Sequence, residues 1–239
     1  MTTKQIEIIY QDENIVVVNK PSGVTIIPDQ HTCENKTLVE ILKKQLNQKI
    51  WIVHRIDRDA TGVLIFAKTL QAHRDISMQF ENSKVHKKYI VLVSGAVEDD
   101  EGSISKPILI SSRDVSIDIT GKESITNFKV LERFKSYTLV QALPLTSRRH
   151  QIRIHFWSLG HPLAIDSEYG ISEPVLLSSL KRNYKTKVGE NEKPLISRLT
   201  LHAATLTLTL PGTNEEKTFE SSLPKDFEVT LKQLRKYGK

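Results

Sequence analysis

The stretch that most constrains this chain is His54-Arg55-Ile56-Asp57-Arg58-Asp59-Ala60-Thr61-Gly62 with the apolar run Val63 to Ala67 directly behind it. Two carboxylates, two guanidiniums and an imidazole fall within six residues, and five apolar residues follow. The run is short, rich in β-branched and aromatic side chains and preceded by glycine, which predicts a buried strand. The charges therefore sit in a loop that feeds a core strand. Loops held by a rigid sheet are where catalytic groups tend to lie.

The rest of the pattern is mainly short strands. Ile6 to Tyr10 and Ile15 to Asn19 read as two strands joined at Asp12-Glu13-Asn14, and Lys20-Pro21-Ser22-Gly23 breaks the pattern. Thr37 to Leu46 predicts a helix with Leu38, Ile41 and Leu42 on one face and Thr37 and Glu40 at capping-box spacing. Ala72, Ile76 and Phe80 mark a second helix, and Tyr89 to Val93 a strand. Gly102-Ser103 and Thr120-Gly121-Lys122 read as turns, and Ile125 to Leu131 and Tyr137 to Leu143 as strands. Arg149 to Leu159 predicts a helix with Ile152, Phe156 and Leu159 on one face. Leu176 to Lys193 is polar and lysine-rich, as in a surface excursion. Leu206, Leu208 and Leu210 alternate with threonines, the mark of a half-buried antiparallel strand, and Phe227, Leu231 and Leu234 mark a closing helix. Strands arranged as hairpins, without regular βαβ alternation, predict an α+β fold on a largely antiparallel sheet.

A chain of 239 residues can build one large domain or two intimate subdomains. Its net charge of +6 favours an anionic partner, although solubility alone accounts for it equally well. Cys33 is the only cysteine, so no disulfide framework or four-cysteine metal site forms within one chain, which fits a reducing cytoplasm. Its setting beside His31 and Glu34 reads as an incidental thiol. No apolar run approaches a membrane span, and Met1 to Gln5 lacks the core of a signal peptide.

Asp57 and Asp59 are better placed to pair with Arg55 and Arg58 than to act together, and a lone loop aspartate usually serves a turn. A second cluster alters that balance: Arg148, Arg149, His150, Arg153 and His155 fall on or beside the predicted helix, with Arg149 and Arg153 at i, i+4. A helix basic on one side and apolar on the other can pair a buried aspartate while facing phosphates; in isolation such a cluster is an ordinary solvated face. The spacing of His150, His155 and His161 does not stack imidazoles on a helix and no cysteine is near, so zinc is disfavoured. The His-Arg-x-Asp fragment lacks the glycine-rich loop and Asp-Phe-Gly motif of kinases. No Walker or Gly-x-Gly-x-x-Gly pattern points to a nucleotide cofactor.

The two clusters together identify a family resemblance, to the RluA-type RNA pseudouridine synthases. HRIDRDATGVLIFAK (His54 to Lys68) resembles the family's aspartate motif, HRLDxxTSGLLxFAK. VVVNKPSGV (Val16 to Val24), KKYIVLVSG (Lys87 to Gly95), TSRRHQIRIHFWSLGHPLAIDSEYG (Thr146 to Gly170) and LHAATLTLTLP (Leu201 to Pro211) are similar to four further family segments, in order. Departures are Ala60-Thr61 for Thr-Ser, and Ser147 and Ile165 for glycines.

The resemblance implies the pseudouridine synthase fold: α+β, a largely antiparallel central mixed sheet in two intimate subdomains flanked by helices, with the active site in a cleft. It implies a single catalytic domain over residues 1–239 without a separate amino-terminal S4-type RNA-binding domain. The activity implied is an isomerisation in ribosomal or transfer RNA, in which uracil leaves C1′ of its ribose, rotates and rejoins through C5. That chemistry calls for no cofactor and no metal. The partner is RNA and not a membrane, and the expected protein is a cytoplasmic monomer. By the same resemblance Asp57 is the catalytic aspartate, Arg153 its basic partner, Tyr89 the ring that stacks on uracil, and Ile152 an apolar wall of the base pocket. Arg55 braces the gap left by the flipped base. His54, Arg58, Arg148, Arg149 and His150 support loops or contact RNA, and Asp59 is structural. A close arginine lowers an aspartate pKa by roughly one to three units, which suits a carboxylate that must stay ionised in a dry pocket. Two other readings remain at this point: a non-catalytic RNA-binding or chaperone module on the same fold, and a carboxylate hydrolase using Asp57 and Asp59.

Overall fold

The computed structural model describes residues 5–28, 37–111, 114–182, 184 and 191–239, so His31 and Cys33 lie outside the described residues. In chain order the elements begin β1 (Glu7–Gln11), β2 (Ile15–Lys20), α1 (Leu38–Leu46), β3 (Trp51–Ile52), β4 (Thr61–Ala67) and α2 (Leu70–Glu81). They continue with β5 (His86–Ser94), β6 (Glu101–Ser105), β7 (Ile108–Ile110), β8 (Val115–Ile117), β9 (Ile125–Arg133), β10 (Tyr137–Pro144), α3 (Gln151–Ser158) and α4 (Leu177–Leu180). β11 (Leu201–Thr209), β12 (Glu216–Glu220) and α5 (Lys225–Tyr237) close the chain. Two compact units result, one from Met1–Lys88 with His202–Ser222, the other from Tyr89–Leu201 with Leu223–Lys239.

In the first unit the strand order is β1-β2-β4-β11, with β3 also on β4 and β12 also on β11. The β1–β2 turn forms because the Asp12 carboxylate accepts from the amides of Asn14 and Ile15 at 2.7 and 2.8 Å. All seven residues of β4 are buried, and the two faces of the sheet explain why its apolar run is unbroken. Ile15, Val17, Val63 and Ile65 pack with Ala72 and Ile76 of α2, whereas Val16, Val18, Leu64 and Phe66 pack with Leu38 and Leu42 of α1. A strand covered on both faces has no polar side to alternate with. Each such side chain contributes about 1.5–3 kcal/mol on burial. Thr37 caps α1 as predicted, accepting from Glu40 N, while the Glu40 carboxylate pairs with Lys43 at 2.6 Å.

β4 pairs antiparallel with β2 but parallel with β11, where His202 lies opposite Thr61 and Ala203 opposite Gly62. Gly62 is required there. Its φ is +110°, and a Cβ at this position would lie 2.1 Å from the Ala203 carbonyl oxygen. Thr61 adds a side-chain tie, its hydroxyl 2.9 Å from Nδ1 of buried His202.

In the second unit β5-β10-β9-β6 is an antiparallel run and β7–β8 a separate hairpin. Gly102 lies inside β6 and does not form the turn predicted from Gly102-Ser103; the Phe128 ring on β9 occupies the space a Cβ would take. Phe227, Leu231 and Leu234 of α5 pack on Leu92, Leu139, Ala164 and Ile165. Ile165, which stands where the resemblance has glycine, is thus a core residue, 4% exposed. The α+β class and the mostly antiparallel pairing follow the sequence pattern. Within Leu176 to Lys193 the described residues include the one-turn helix α4, with no buried side chain. No helix among the described residues is long and apolar enough to cross a membrane.

Candidate active site

In the first unit Asp57 opens a turn closed by Ala60 N donating to Asp57 O at 3.2 Å. The segment 20–23 grips that turn. Lys20, the last residue of β2, is fully buried, and its Nζ donates to the carbonyls of Pro21 (3.0 Å), Arg58 (2.6 Å) and Ala60 (2.9 Å). Ser22 Oγ donates to Asp59 O at 3.0 Å, and Gly23 N to Arg58 O at 3.0 Å. Arg58 Nε returns a longer bond to Gly23 O, 3.4 Å. Asp57 is half-buried, while Arg55, Arg58 and Asp59 are exposed. The turn thus fixes its backbone and leaves one sheltered carboxylate among exposed charges.

His54 is tied to β4 and α2. Its Nε2 accepts from Ile65 N at 3.2 Å, and its ring stacks on Phe80 at 4.7 Å. Desolvation, aided by the nearby Lys87 charge, pushes its pKa down to about 3, so the imidazole is neutral. Burial also brings Lys87 down to about 8.

In the second unit the basic cluster differs from the expected helix face. α3 begins at Gln151, so Arg148, Arg149 and His150 precede it and Arg149 is not a helical neighbour of Arg153. His150 holds a left-handed φ of 55° at the N-cap, which stops the helix from extending backwards. Gln151 through Phe156 are all buried, so the helix presents no solvated basic stripe. Leu159, expected on its apolar face, is the C-cap and 39% exposed.

Each buried polar group on α3 has a partner. Gln151 joins Thr146, the Arg148 amide, Ile125 O and Thr126. His155 lies between Thr126 Oγ1 (2.9 Å) and Lys106 O (3.1 Å), and burial lowers its pKa. Arg153 donates through Nε and Nη2 to the two oxygens of Asp166, at 2.7 Å each. The bidentate partner the structure supplies for Arg153 is therefore Asp166, a residue to which the sequence reading assigned no role. Burial pushes the Asp166 carboxyl up, but the Arg153 bonds and charge, with the amides of Glu168 and Tyr169, outweigh it and hold it below the usual carboxylate range.

Arg153 also lies 5.0 Å over the Tyr169 ring, and the Tyr169 hydroxyl is 2.9 Å from His150 Nδ1. Burial first, then the Arg153 charge, bring His150 down to about 4. Tyr89 is half-buried on β5 opposite Ala142 of β10, Ile152 is 6% exposed on α3, Arg148 is half-buried and Arg149 exposed. His161 Nδ1 bonds Ser94 O, and among the described residues no group of three or more His, Cys, Asp or Glu side chains could hold a metal ion. The sequence reading thus missed Lys20 and Asp166. Both lie inside segments that carry the family resemblance, Val16 to Val24 and Thr146 to Gly170, where neither was singled out for a role.

The first unit thus holds a sheltered carboxylate on a pinned turn, and the second a guanidinium held flat by a second carboxylate. The model of the RNA pseudouridylate synthase family matches residues 14–158, a span that contains Asp57, Tyr89 and Arg153. A ribosomal large subunit pseudouridine synthase C of Buchnera aphidicola subsp. Baizongia pistaciae is 36% identical over 234 residues, 95% of this chain and 70% of that protein. The protein of the same name from Escherichia coli strain K12 is 35% identical, with 95% and 70% covered. The solved structure of human RNA pseudouridylate synthase domain containing 4 superposes with a TM-score of 0.72 at 25% identity, covering 96% of this chain and 93% of that one. This chain belongs to the RNA pseudouridylate synthase family and is an isomerase.

Proposed function

We propose that this enzyme converts uridines of large-subunit ribosomal RNA to pseudouridine, with Asp57 as its catalytic aspartate. The observation that carries the reading is the Asp57 turn: a half-buried carboxylate on a backbone tied to residues 20–23 and backed by the fully buried β4. A reacting group held this firmly gives up little freedom when substrate arrives. Ribosomal RNA is favoured over transfer RNA by the names of the similar proteins from Buchnera and Escherichia coli.

In this reading Asp57 acts at the glycosidic bond of a uridine turned out of its stack, Tyr89 stacks on the released uracil, and Ile152 lines the base site. Arg153 supplies the positive charge, oriented by Asp166. Arg55 braces the gap in the RNA, and Arg58, Arg148 and Arg149 meet phosphates. Extruding the base costs a few kcal/mol, which favours loops and weakly paired sites as targets. His54 and His150 are assigned to support of the loops, because both are neutral at pH 7. Asp59, exposed at the turn, is structural.

The test compares Asp57→Ala with the unaltered enzyme on total RNA from a strain lacking the gene, with pseudouridines mapped before and after. The variant should bind this RNA and form no pseudouridine, and the restored site should lie in large-subunit ribosomal RNA. Normal turnover by Asp57→Ala would remove the catalytic assignment, and a restored site in transfer RNA would remove the substrate assignment.

A further inference from the structure

We propose that the basic patch around Tyr237, on the face of the second unit's sheet opposite Tyr89 and α3, is a second contact for the RNA substrate. The proposal rests on the reading of the chain as an enzyme that acts on ribosomal RNA.

Strand register separates the two faces. Tyr89 lies opposite Ala142, and Ala142 opposite Phe128, whose ring meets Phe156 of α3 at 5.7 Å. Paired residues point to the same side of a sheet, so Tyr89 is on the α3 face. Leu92, three residues along β5, points the other way, and with its partner Leu139 it packs on Phe227, Leu231 and Leu234 of α5. α4 lies against α5 on that back face.

Cations reach the back face from two segments. α5 keeps its acidic residues, Asp226 and Glu228, in its first turn, while Lys232 and Lys236, both exposed, stand four residues apart toward its other end. Lys181 arrives from the end of α4. The Tyr237 ring has two ammoniums over it, Lys236 Nζ at 5.1 Å and Lys181 Nζ at 5.5 Å. The bond with Lys236, opposed by desolvation and helped by the charges of Lys181 and Lys236, holds the Tyr237 phenol below its ordinary pKa. A backbone bond from Lys135 N to Gly238 O, 2.6 Å, fastens this end of α5 to the turn between β9 and β10.

Helix polarity favours bases at the end of α5. It gives no reason for Lys181, from another segment, to converge on the same ring. Nor is the charge spent inside the patch. Glu132 is taken up by Arg235 through three bonds of 2.6–3.2 Å, and among the described residues no carboxylate pairs with Lys181, Lys232 or Lys236. Unspent ammoniums around an aromatic ring suit single-stranded nucleic acid, with phosphates against the charges and a base on the ring. An RNA that also meets Arg148 and Arg149, beside α3, must then pass round the edge of the β5-β10-β9-β6 sheet. That requirement suits a large folded RNA better than an isolated loop.

The test is the double variant Lys181→Ala/Lys236→Ala, with Lys44→Ala/Lys84→Ala, two exposed lysines of the first unit, as a control of equal charge. Kd is measured across a salt series with deproteinised ribosomal RNA from a strain lacking the gene, together with single-turnover pseudouridine formation at saturating RNA and the thermal midpoint. The back-face variant should bind about tenfold more weakly near 0.1 M salt, and its log–log salt slope should be shallower by roughly 1.4, about 0.7 for each phosphate lost. Its single-turnover rate at saturating RNA should stay within twofold of normal, since the patch does not face Tyr89, and Lys181→Arg/Lys236→Arg should restore Kd. A Kd within twofold of normal overturns the proposal and leaves the patch to another partner, such as an acidic protein. An equal loss in the control also overturns it, because overall charge then suffices, as does a slowed single turnover or a lowered thermal midpoint that accounts for the weaker binding. Unaltered enzyme that neither binds nor isomerises this RNA removes the ribosomal reading itself, whereas active unaltered enzyme beside a normally binding double variant removes only the patch.

Discussion

Arg153 and Asp166 form a buried fork-to-carboxylate pair, Nε to Oδ2 and Nη2 to Oδ1, both 2.7 Å, with 5% and 0% of their side chains exposed. Two parallel bonds fix the plane of the guanidinium as well as its position. Together with the two amides on Oδ1, they make Asp166 a fully engaged anion in the interior of the second unit.

Removing Asp166 takes both 2.7 Å bonds from a buried guanidinium and leaves it the longer 3.4 Å contact of Nη2 with Glu168. Asp166→Asn is therefore expected to lower unfolding stability by about 3–5 kcal/mol. Arg149→Ala, at an exposed position only four residues before Arg153, should change stability by no more than about 0.5 kcal/mol. Urea unfolding of both variants checks the contrast, and equal losses would contradict it.

His54 is held near pKa 3 in the folded protein against 6.5 for a free imidazole. Between those values the unfolded chain binds the extra proton, so folding stability falls as pH drops below 6.5 and is unaffected above it. The slope is about 1.4 kcal/mol per pH unit, so about 2 kcal/mol is lost at pH 5 from this group. His54→Gln, with no proton to bind, should have a correspondingly flatter profile in urea unfolding at pH 7.5 and pH 5. Identical profiles would show that His54 is not held neutral by its surroundings.

The glycines at 62 and 23 both have positive φ but differ in their surroundings. A Cβ at Gly62 meets the Ala203 backbone, while one at Gly23 has nothing within 4 Å. Gly62→Ala should lose more than about 3 kcal/mol or fail to fold, as backbone must move against backbone. Gly23→Ala should lose only the local conformational cost, about 1–2 kcal/mol. Thermal denaturation separates the two, and a Gly62→Ala protein as stable as Gly23→Ala would refute the close approach of β4 and β11.

Thr61→Val replaces the hydroxyl that meets His202 Nδ1 by a methyl of similar size. The buried 2.9 Å bond between the hydroxyl and the imidazole is then lost, at a cost of about 1–3 kcal/mol. Thr61→Ser keeps the hydroxyl and should lose less. Urea midpoints of the two variants, measured together, give the difference, and a Thr61→Val protein no less stable than Thr61→Ser would argue against the bond.

The elements of regular period were legible in the sequence. β4, α1, α2 and α5 lie within a few residues of where apolar spacing puts them, because packing on a sheet face is what that spacing encodes. The basic cluster was misread for a physical reason. An arginine or histidine in a sequence gives no sign of whether a carboxylate or hydroxyl from a distant segment will meet it, and Arg153 and His155 are buried by Asp166 and Thr126, 13 and 29 residues away. The same limit hid Lys20, whose partners lie 38 and 40 residues downstream. Gly102 was taken for a turn because its strand role depends on the Phe128 ring across the sheet.

The parallel pairing of β4 with β11 has a consequence for how the enzyme is made. His202, beside Thr61 in the finished sheet, lies 141 residues further along the chain. At about 5–20 residues per second, roughly seven to thirty seconds of synthesis separate the two. Throughout that interval the edge of β4 next to Asp57 lacks its neighbour, and an open apolar edge is a template for pairing with the wrong strand. A nascent chain thus carries Thr61 and Gly62 long before the ribosome has produced the strand that pairs with them. Truncation before residue 202 should give a polypeptide prone to association with other incomplete chains.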